Sequence, residues 1–321
     1  MTVGQQIQQS LSRSAIFFGY LGILASLMGF LSQLHWFLAL ASHFRIQYAL
    51  GLAILGLLLL IFRRWVNAAI ILVFAVINGF LLVPLFVGGS FESTHDGPIL
   101  RVMAYNVNTS QGKPQEAKQV IESFDPDVLV LAEVSARWLG ELKPLLEKYP
   151  YSRAVPRDDN FGIGLYSKFP LEEIAVEYLA AASVPTIMAD VEWAGDKVRV
   201  IATHPLPPIG GQYSWNRNQQ ILELSSMVPQ SGPTLVVGDL NITRWDANFA
   251  PLLKHPRLND SSVGQGWQPT WPAGVWPLMI PIDHAFYSDE LVLVNREVGP
   301  AGGSDHLPVI IDVGLKAPTV D

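Results

Sequence analysis

Cysteine is absent from all 321 residues, which removes disulfides and every thiolate metal site and leaves the redox compartment open. Acidic residues are absent from the first 90, where Arg13, Arg45, Arg63 and Arg64 are the only formal charges. The remainder holds all 28 acidic residues against 17 basic ones, an ordinary acidic globular composition. Two signatures are also missing. There is no G-x-x-x-x-G-K-[ST] loop and no G-x-S-x-G elbow, so NTPase and serine-hydrolase readings lack their motifs. No fixed-period repeat occurs.

What the first 90 residues offer instead is apolar length. Ser14 to Ala41 carries no formal charge, and two further runs follow at 46–62 and 66–87. The second and third match the roughly 17–25 residues that cross a bilayer as a helix, and the first is long enough to cross with residues to spare. Three in succession, with no polar face, argue against buried core helices and against a cleaved signal peptide. The chain is expected to have a three-helix transmembrane region over 1–90, a Gly/acidic linker over 91–98 and a large globular domain over 99–316. Three crossings put Arg13, Arg63 and Arg64 on one side and Arg45 with the large domain on the other. The basic excess therefore predicts a cytoplasmic N-terminus and an extracytoplasmic domain. Trp36 and Trp65 stand near span ends, as interfacial residues do.

The domain reads as alternating strands and helices: strands in "ILRVMAYNV", "PDVLVLAEV", "FGIGLYSK", "TIMADVEW", "KVRVIATH", "PTLVVGDL", "IDHAFYS" and "LPVIIDVG", with helices near 114–124 and 135–148. Many short apolar strands with few helices between them predict two packed sheets with helices outside. Polar residues stand at the strand ends: Asn106, Glu133, His204, Asp239, Asn241 and Asp283, then Asp305 and His306. Any one suits a turn or cap. Together they line common sheet edges, and "GDLN" places Asp239 and Asn241 on one side of the chain because strand side chains alternate. Carboxylates and carboxamides are hard oxygen ligands suited to Mg²⁺ or Mn²⁺, and two histidines without thiolate argue against structural zinc. A hard ion with a His–Asp pair suits attack of water on phosphorus.

The ordered motifs "AYNV", "LAEV", "ATHP", "GDLN", "IDHAF" and "GSDHLPV" resemble the endonuclease/exonuclease/phosphatase (DNase I-like) superfamily over roughly residues 98–315. The resemblance implies a four-layered α/β sandwich, two packed β-sheets flanked by helices, behind the three transmembrane helices. It implies Glu133 as the principal Mg²⁺ ligand, assisted by Asn106 and Asp305. Asp239 would orient the attacking water, Asn241 would hold a phosphate oxygen, and His306 would be the general base oriented by Asp283. His204 would donate to the phosphate oxygen that gains charge.

The substrate is read from context, because the fold does not fix it. The acidic domain disfavours a nucleic-acid partner, and the bilayer brings lipid headgroups close. The stretch 266–281, "GWQPTWPAGVWPLMIP", carries Trp267, Trp271 and Trp276 and is expected either to pack as a core loop or to seat the catalytic mouth on lipid. Three spans before the domain resemble the bacterial membrane-bound, VanJ/YafD-like members. These features lead to a Mg²⁺-dependent phosphoesterase of the bacterial plasma membrane acting on a lipid phosphate, diester or pyrophosphate. The alternatives are an extracytoplasmic tethered nuclease and a non-catalytic membrane scaffold. Neither the oligomeric state nor the bond cleaved is written in the sequence.

Overall fold

The computed structural model describes residues 2–89 and 95–316, so the first half of the expected linker, 91–94, lies outside the described residues. Three helical segments are long and apolar enough to cross a membrane: Val3–Gly29, Trp36–Ile61 and Trp65–Phe86. The first is one continuous helix, α1 (Val3–Gly29), whose start is closed by a capping box between Thr2 and Gln5. The second begins as a short helix α2 (Trp36–Leu40), passes through a 3₁₀ turn at Ala41–Phe44, and continues as α3 (Arg45–Ile61). The third is α4 (Trp65–Phe86). Their outward faces carry Phe17, Leu24, Ile54, Val76 and Phe80 to the surroundings, as bilayer-facing residues do.

The first span ends earlier than expected. The uncharged run to Ala41 does not continue as helix beyond Gly29; it turns and folds back through α2. Gly29 permits this, because a β-carbon there would press on the Arg45 guanidinium and the Ala41 carbonyl. Arg45 is not a loop charge either. It is 1% exposed, donates to the Ser26 carbonyl at 2.9 Å and to Asn78 Oδ1 at 3.2 Å, and covers the Phe30 ring. A cation among apolar helices needs such partners.

Twelve strands follow: β1 (Leu100–Asn106), β2 (Val128–Ala132), β3 (Tyr151–Val155), β4 (Ile163–Ser167), β5 (Leu171–Tyr178), β6 (Pro185–Trp193), β7 (Asp196–Ala202), β8 (Thr234–Asp239), β9 (Leu258–Asp260), β10 (Asp283–Ser288), β11 (Leu291–Val298) and β12 (Val309–Leu315). They form two six-stranded sheets, ordered β11-β12-β1-β2-β4-β3 and β5-β6-β7-β8-β10-β9. The helices are α5 (Pro114–Phe124), α6 (Ala136–Glu141), α7 (Lys143–Leu146), α8 (Gly211–Ser226) and α9 (Ala250–Leu253). Val102, Val130 and Leu165 of one sheet meet Val191, Val200 and Val237 of the other in a single buried cluster. On the outer faces, Met103 and Leu129 pack under α5 and α6 with Ile121 and Trp138, and Ile201 and Val236 pack under α8 with Ile221 and Leu224. Central strands are apolar at odd and even positions because both faces are covered. The result is the four-layered sandwich.

Two strand pairs are parallel, β1 with β2 and β7 with β8. Their C-terminal ends, with the start of β10 and the approach to β12, make one edge of the sandwich. That edge faces the membrane helices. Loops of the domain bond to carbonyls in the last turns of α4: Gly264 N donates to Pro84 O at 3.0 Å and Gly266 N to Leu85 O at 2.6 Å, and Trp245 Nε1 adds a bond to Leu81 O at 3.1 Å. Helix ends require such partners.

Candidate active site

The elements deliver the polar residues as follows. Asn106 closes β1 and Glu133 follows β2; His204 lies just past β7, Asp239 closes β8 and Asp283 opens β10. Asp239 and Asp283 are register partners across the antiparallel pair of β8 and β10. Gly238 sits at φ 148°, and a β-carbon there would collide with the Thr203 carbonyl oxygen. Glycine is thus what lets β7 and β8 close up and bring His204 beside Asp239. Glu133 and Asn241 adopt φ of 63° and 51°. Asparagine tolerates that region, but for glutamate it costs about 1–2 kcal/mol. Thr109 holds Glu133 there, its N–H on Oε2 at 3.0 Å and its hydroxyl on the Glu133 carbonyl at 2.8 Å. Left-handed backbone held by its surroundings is a feature of functional sites.

Asn106 Nδ2 donates to Glu133 Oε1 and to Asp239 Oδ2, both at 3.0 Å. The same Asp239 oxygen lies 3.4 Å from His204 Nε2 and 3.7 Å from His306 Nε2. Its other oxygen accepts from Asn241 N at 2.9 Å. His306 Nδ1 is paired with Asp283 Oδ2 at 3.0 Å. Asn241 Nδ2 lies 3.3 Å from His204 Nε2 and 3.0 Å from Pro205 O. Seven of the polar strand-end residues are joined by these contacts, and the eighth, Asp305, lines the same cavity. Ligand atoms of Asp239, Asp283 and His306 all fall within 4.8 Å of one another, a cluster able to hold a divalent metal ion. It is a different trio from Glu133, Asn106 and Asp305, and Asn106 joins the two sets by bridging Glu133 to Asp239.

The charges are strongly coupled. Burial alone would raise the Asp239 carboxyl, but His306, His204 and Asn106 outweigh it and hold the group well below the usual carboxylate range. Burial works against the His306 imidazolium; Asp283 and Asp239 overcome it and carry the group up to about 10. His204 follows the same pattern, raised by Asp239 and Glu133 against its burial.

The three tryptophans of 266–281 part ways. Trp267 stacks on Trp245 with centroids 6.2 Å apart and packs against Ala49, Leu82 and Leu85 of the membrane helices. Trp271 donates its indole N–H to Asp305 Oδ2 at 3.0 Å and lines the site. Trp276 is 72% exposed, with Val275 and Leu278 exposed beside it. The other Asp305 oxygen accepts from Asn108 Nδ2 at 2.7 Å. Asn108, Thr109 and the Trp271–Asp305 contact are not apparent from strand-end polarity. Asn108 repeats the amide two residues after Asn106, and that spacing is the signal that marks it.

A cavity of about 610 Å³ opens onto Glu133, His204, Asp239, Asn241, Asp305 and His306, and its far wall is Trp36, Leu40, His43 and Phe44 of the membrane region. These wall residues escape a reading in which 14–41 is one span. A histidine within a membrane segment is the sequence signal that could have found them.

The Endonuclease/Exonuclease/phosphatase family profile matches residues 103–306, more than half of the chain. The chain belongs to that family. No curated protein matches it. Among solved structures, an endonuclease/exonuclease/phosphatase from Beutenbergia cavernae is similar at 21% identity and TM-score 0.56, covering 70% of this chain and 73% of that one. The human Nocturnin catalytic domain with bound sulfate aligns at 20% identity and TM-score 0.56 over 68% of this chain and 96% of its own. Truncated Caenorhabditis elegans TDP2 aligns at 18% identity and TM-score 0.54 over 67% and 97%. Family membership and the clustered Asp, Asp and His make this a metal-dependent phosphoesterase site. One expectation is corrected. The acidic net charge does not make a nucleic-acid substrate less expected: the family is named for endonucleases and exonucleases, and TDP2 and Nocturnin are among the structures matched. Overall charge is a poor guide here because a divalent cation and a local surface, not the whole domain, meet the phosphate.

Proposed function

We propose that the chain is a membrane-anchored, Mg²⁺-dependent phosphoesterase, Mn²⁺ serving in the same place, with a phosphoester bearing an apolar portion, such as a membrane lipid, as substrate. The observation that carries this reading is the cavity of about 610 Å³ shared by the catalytic residues and the membrane-region residues Trp36, Leu40 and Phe44. The donor set fits a hard divalent ion: Glu133, Asp239 and Asp305 supply carboxylates, Asn106 an amide, and no thiolate competes. Glu133, Asn106 and Asp305 would hold the ion, which when bound offsets phosphate charge. His306 takes the proton of the attacking water at Nε2, while Asp283 fixes the ring through Nδ1. Asp239 orients that water. Asn241 and His204 hold phosphate oxygens, the protonated His204 stabilising the one that gains charge. The charge pattern supports an extracytoplasmic domain with a cytoplasmic N-terminus in a bacterial plasma membrane, and the three-span layout supports kinship with the VanJ/YafD-like members.

The comparisons favour a second reading, a membrane-tethered nuclease, since the family includes endonucleases and exonucleases in its name. One assay separates the two. Purified protein with Mg²⁺ is given lipid pyrophosphate, sphingomyelin, phosphoinositides and plasmid DNA in parallel, with His306→Ala as control. Lipid turnover lost in the variant supports the first reading, DNA turnover alone the second, and inertness toward every phosphoester removes both.

A further inference from the structure

We infer that the start of the second membrane segment, residues 36–44, is a specificity wall of the active site, with an apolar pocket for an alkyl or acyl chain and a polar contact from His43. This rests on the phosphoesterase reading above and assigns the substrate's non-phosphate part. Three observations carry it. First, Leu40 and Phe44 face the catalytic residues across the same cavity, and Ile209 and Ile280 extend the apolar lining. A chain placed there leaves water at roughly 0.8 kcal/mol per methylene. Second, this wall is fixed to the catalytic loops. His43 Nδ1 lies 2.9 Å from Thr243 Oγ1, two residues past Asn241. Ser32 Oγ accepts from Ala247 N at 3.1 Å, and Gln47 Nε2 donates to Met279 O at 3.0 Å. Third, His43 is 4% exposed and its Nε2 has no partner among the described residues. A buried ring nitrogen without a partner is destabilising. His43 borders the active-site cavity, so a polar oxygen of the substrate next to the scissile phosphate supplies the missing partner. In the tautomer where Thr243 donates to Nδ1, Nε2 carries the proton and is the donor; in the other, Nε2 accepts.

The test uses the full chain in lipid nanodiscs with Mg²⁺ and a series of 4-nitrophenyl phosphodiesters esterified with methyl to octyl chains. Wild type is expected to show kcat/KM rising with chain length. Leu40→Asn should cut the octyl-to-methyl ratio of kcat/KM at least about tenfold, a change the transfer of two methylenes is large enough to produce. Partition into the disc is common to wild type and variant, so the comparison removes it. Ile209→Asn repeats the measurement at a residue 74% exposed, where a polar side chain is compatible with folding. His43→Ala should raise KM more than it lowers kcat, with His43→Gln restoring part of the loss. Ratios unchanged in both wall variants overturn the inference. A wild-type rate flat with chain length, accompanied by DNA cleavage, overturns it while leaving the phosphoesterase reading intact. Inertness toward diesters, lipids and DNA alike defeats that reading as well.

Discussion

Asp239 Oδ2 has three donors converging on it, Asn106 at 3.0 Å, His204 at 3.4 Å and His306 at 3.7 Å. Protons on the two imidazoles supply the positive charge that the carboxylates demand, which is why His306 reaches about 10. A divalent ion supplies the same charge, so its binding should expel a proton. Mg²⁺ affinity is accordingly expected to increase as pH rises from about 6.5 toward 10, and calorimetry in buffers of different ionisation enthalpy should register the released proton. A pH-independent affinity would contradict this coupling. Stability in chelator follows the same charges. The folded pKa of His306 is raised, so its contribution is complete below about 6.5 and lost as pH climbs through about 10. Asp239 is depressed, so its contribution is complete above about 3.8 and lost as pH falls through the depressed value. Melting temperature should decline on the alkaline side, and His306→Gln should flatten that limb. In turnover, His306→Ala is expected to lower kcat by about 10²–10⁴-fold, the usual worth of a general base, at full Mg²⁺ saturation. These polar residues were readable as a set because each stands at or close beside a strand terminus. The indole of Trp271 on Asp305, 34 residues away, was not, since nothing local marks which tryptophan turns inward.

Helix α8 shows what an element adds. Arg217, fully buried, reaches from it to Asn241 O at 2.8 Å and to Asp246 Oδ2 at 3.1 Å, holding the loop that follows β8. Burial lowers the guanidinium's pKa, with Asp246 opposing. Removing one member of a buried pair strands the other, at a cost of about 3–5 kcal/mol. Arg217→Ala should therefore lower the melting temperature and kcat together, and the double variant Arg217→Met, Asp246→Leu should recover stability but not the grip on Asn241. Full stability in Arg217→Ala would show that the loop is held elsewhere. The same element explains what was legible in the sequence. Strands covered on both faces, such as β2 and β8, declare themselves as apolar runs. Strand β5, "LEEIAVEY", sits at a sheet edge and exposes its glutamates; β3 is likewise an edge strand. Helix α8 buries Asn216, Arg217 and Gln220 along with Ile221 and Leu224, so its inner face is half polar and its helical period is blurred. Polar residues used to brace a catalytic loop erase the apolar pattern that announces a helix.

At the scale of the molecule, composition separates an acid-free apolar block from an acidic domain and suggests two bodies joined by a tether. The contacts between them oppose that picture. Trp245, Gly264 and Gly266 bond to carbonyls in the last turns of α4, Ala247 binds Ser32, Thr243 meets His43, and Trp267 packs on Leu82 and Leu85. None of these pairings has a periodic or compositional signature, since each joins residues far apart in the chain. Together they predict that the covalent connection is dispensable for association. A protease site placed within residues 90–94 and cleaved after membrane preparation should leave residues 95–316 in the membrane fraction, resistant to a salt wash because the contacts are hydrogen-bonded and apolar rather than ionic. Adding Trp245→Ala and Trp267→Ala should release the domain after the same cleavage. Release of the unsubstituted domain into the supernatant would restore the tethered picture, and with it a catalytic mouth free to leave the bilayer.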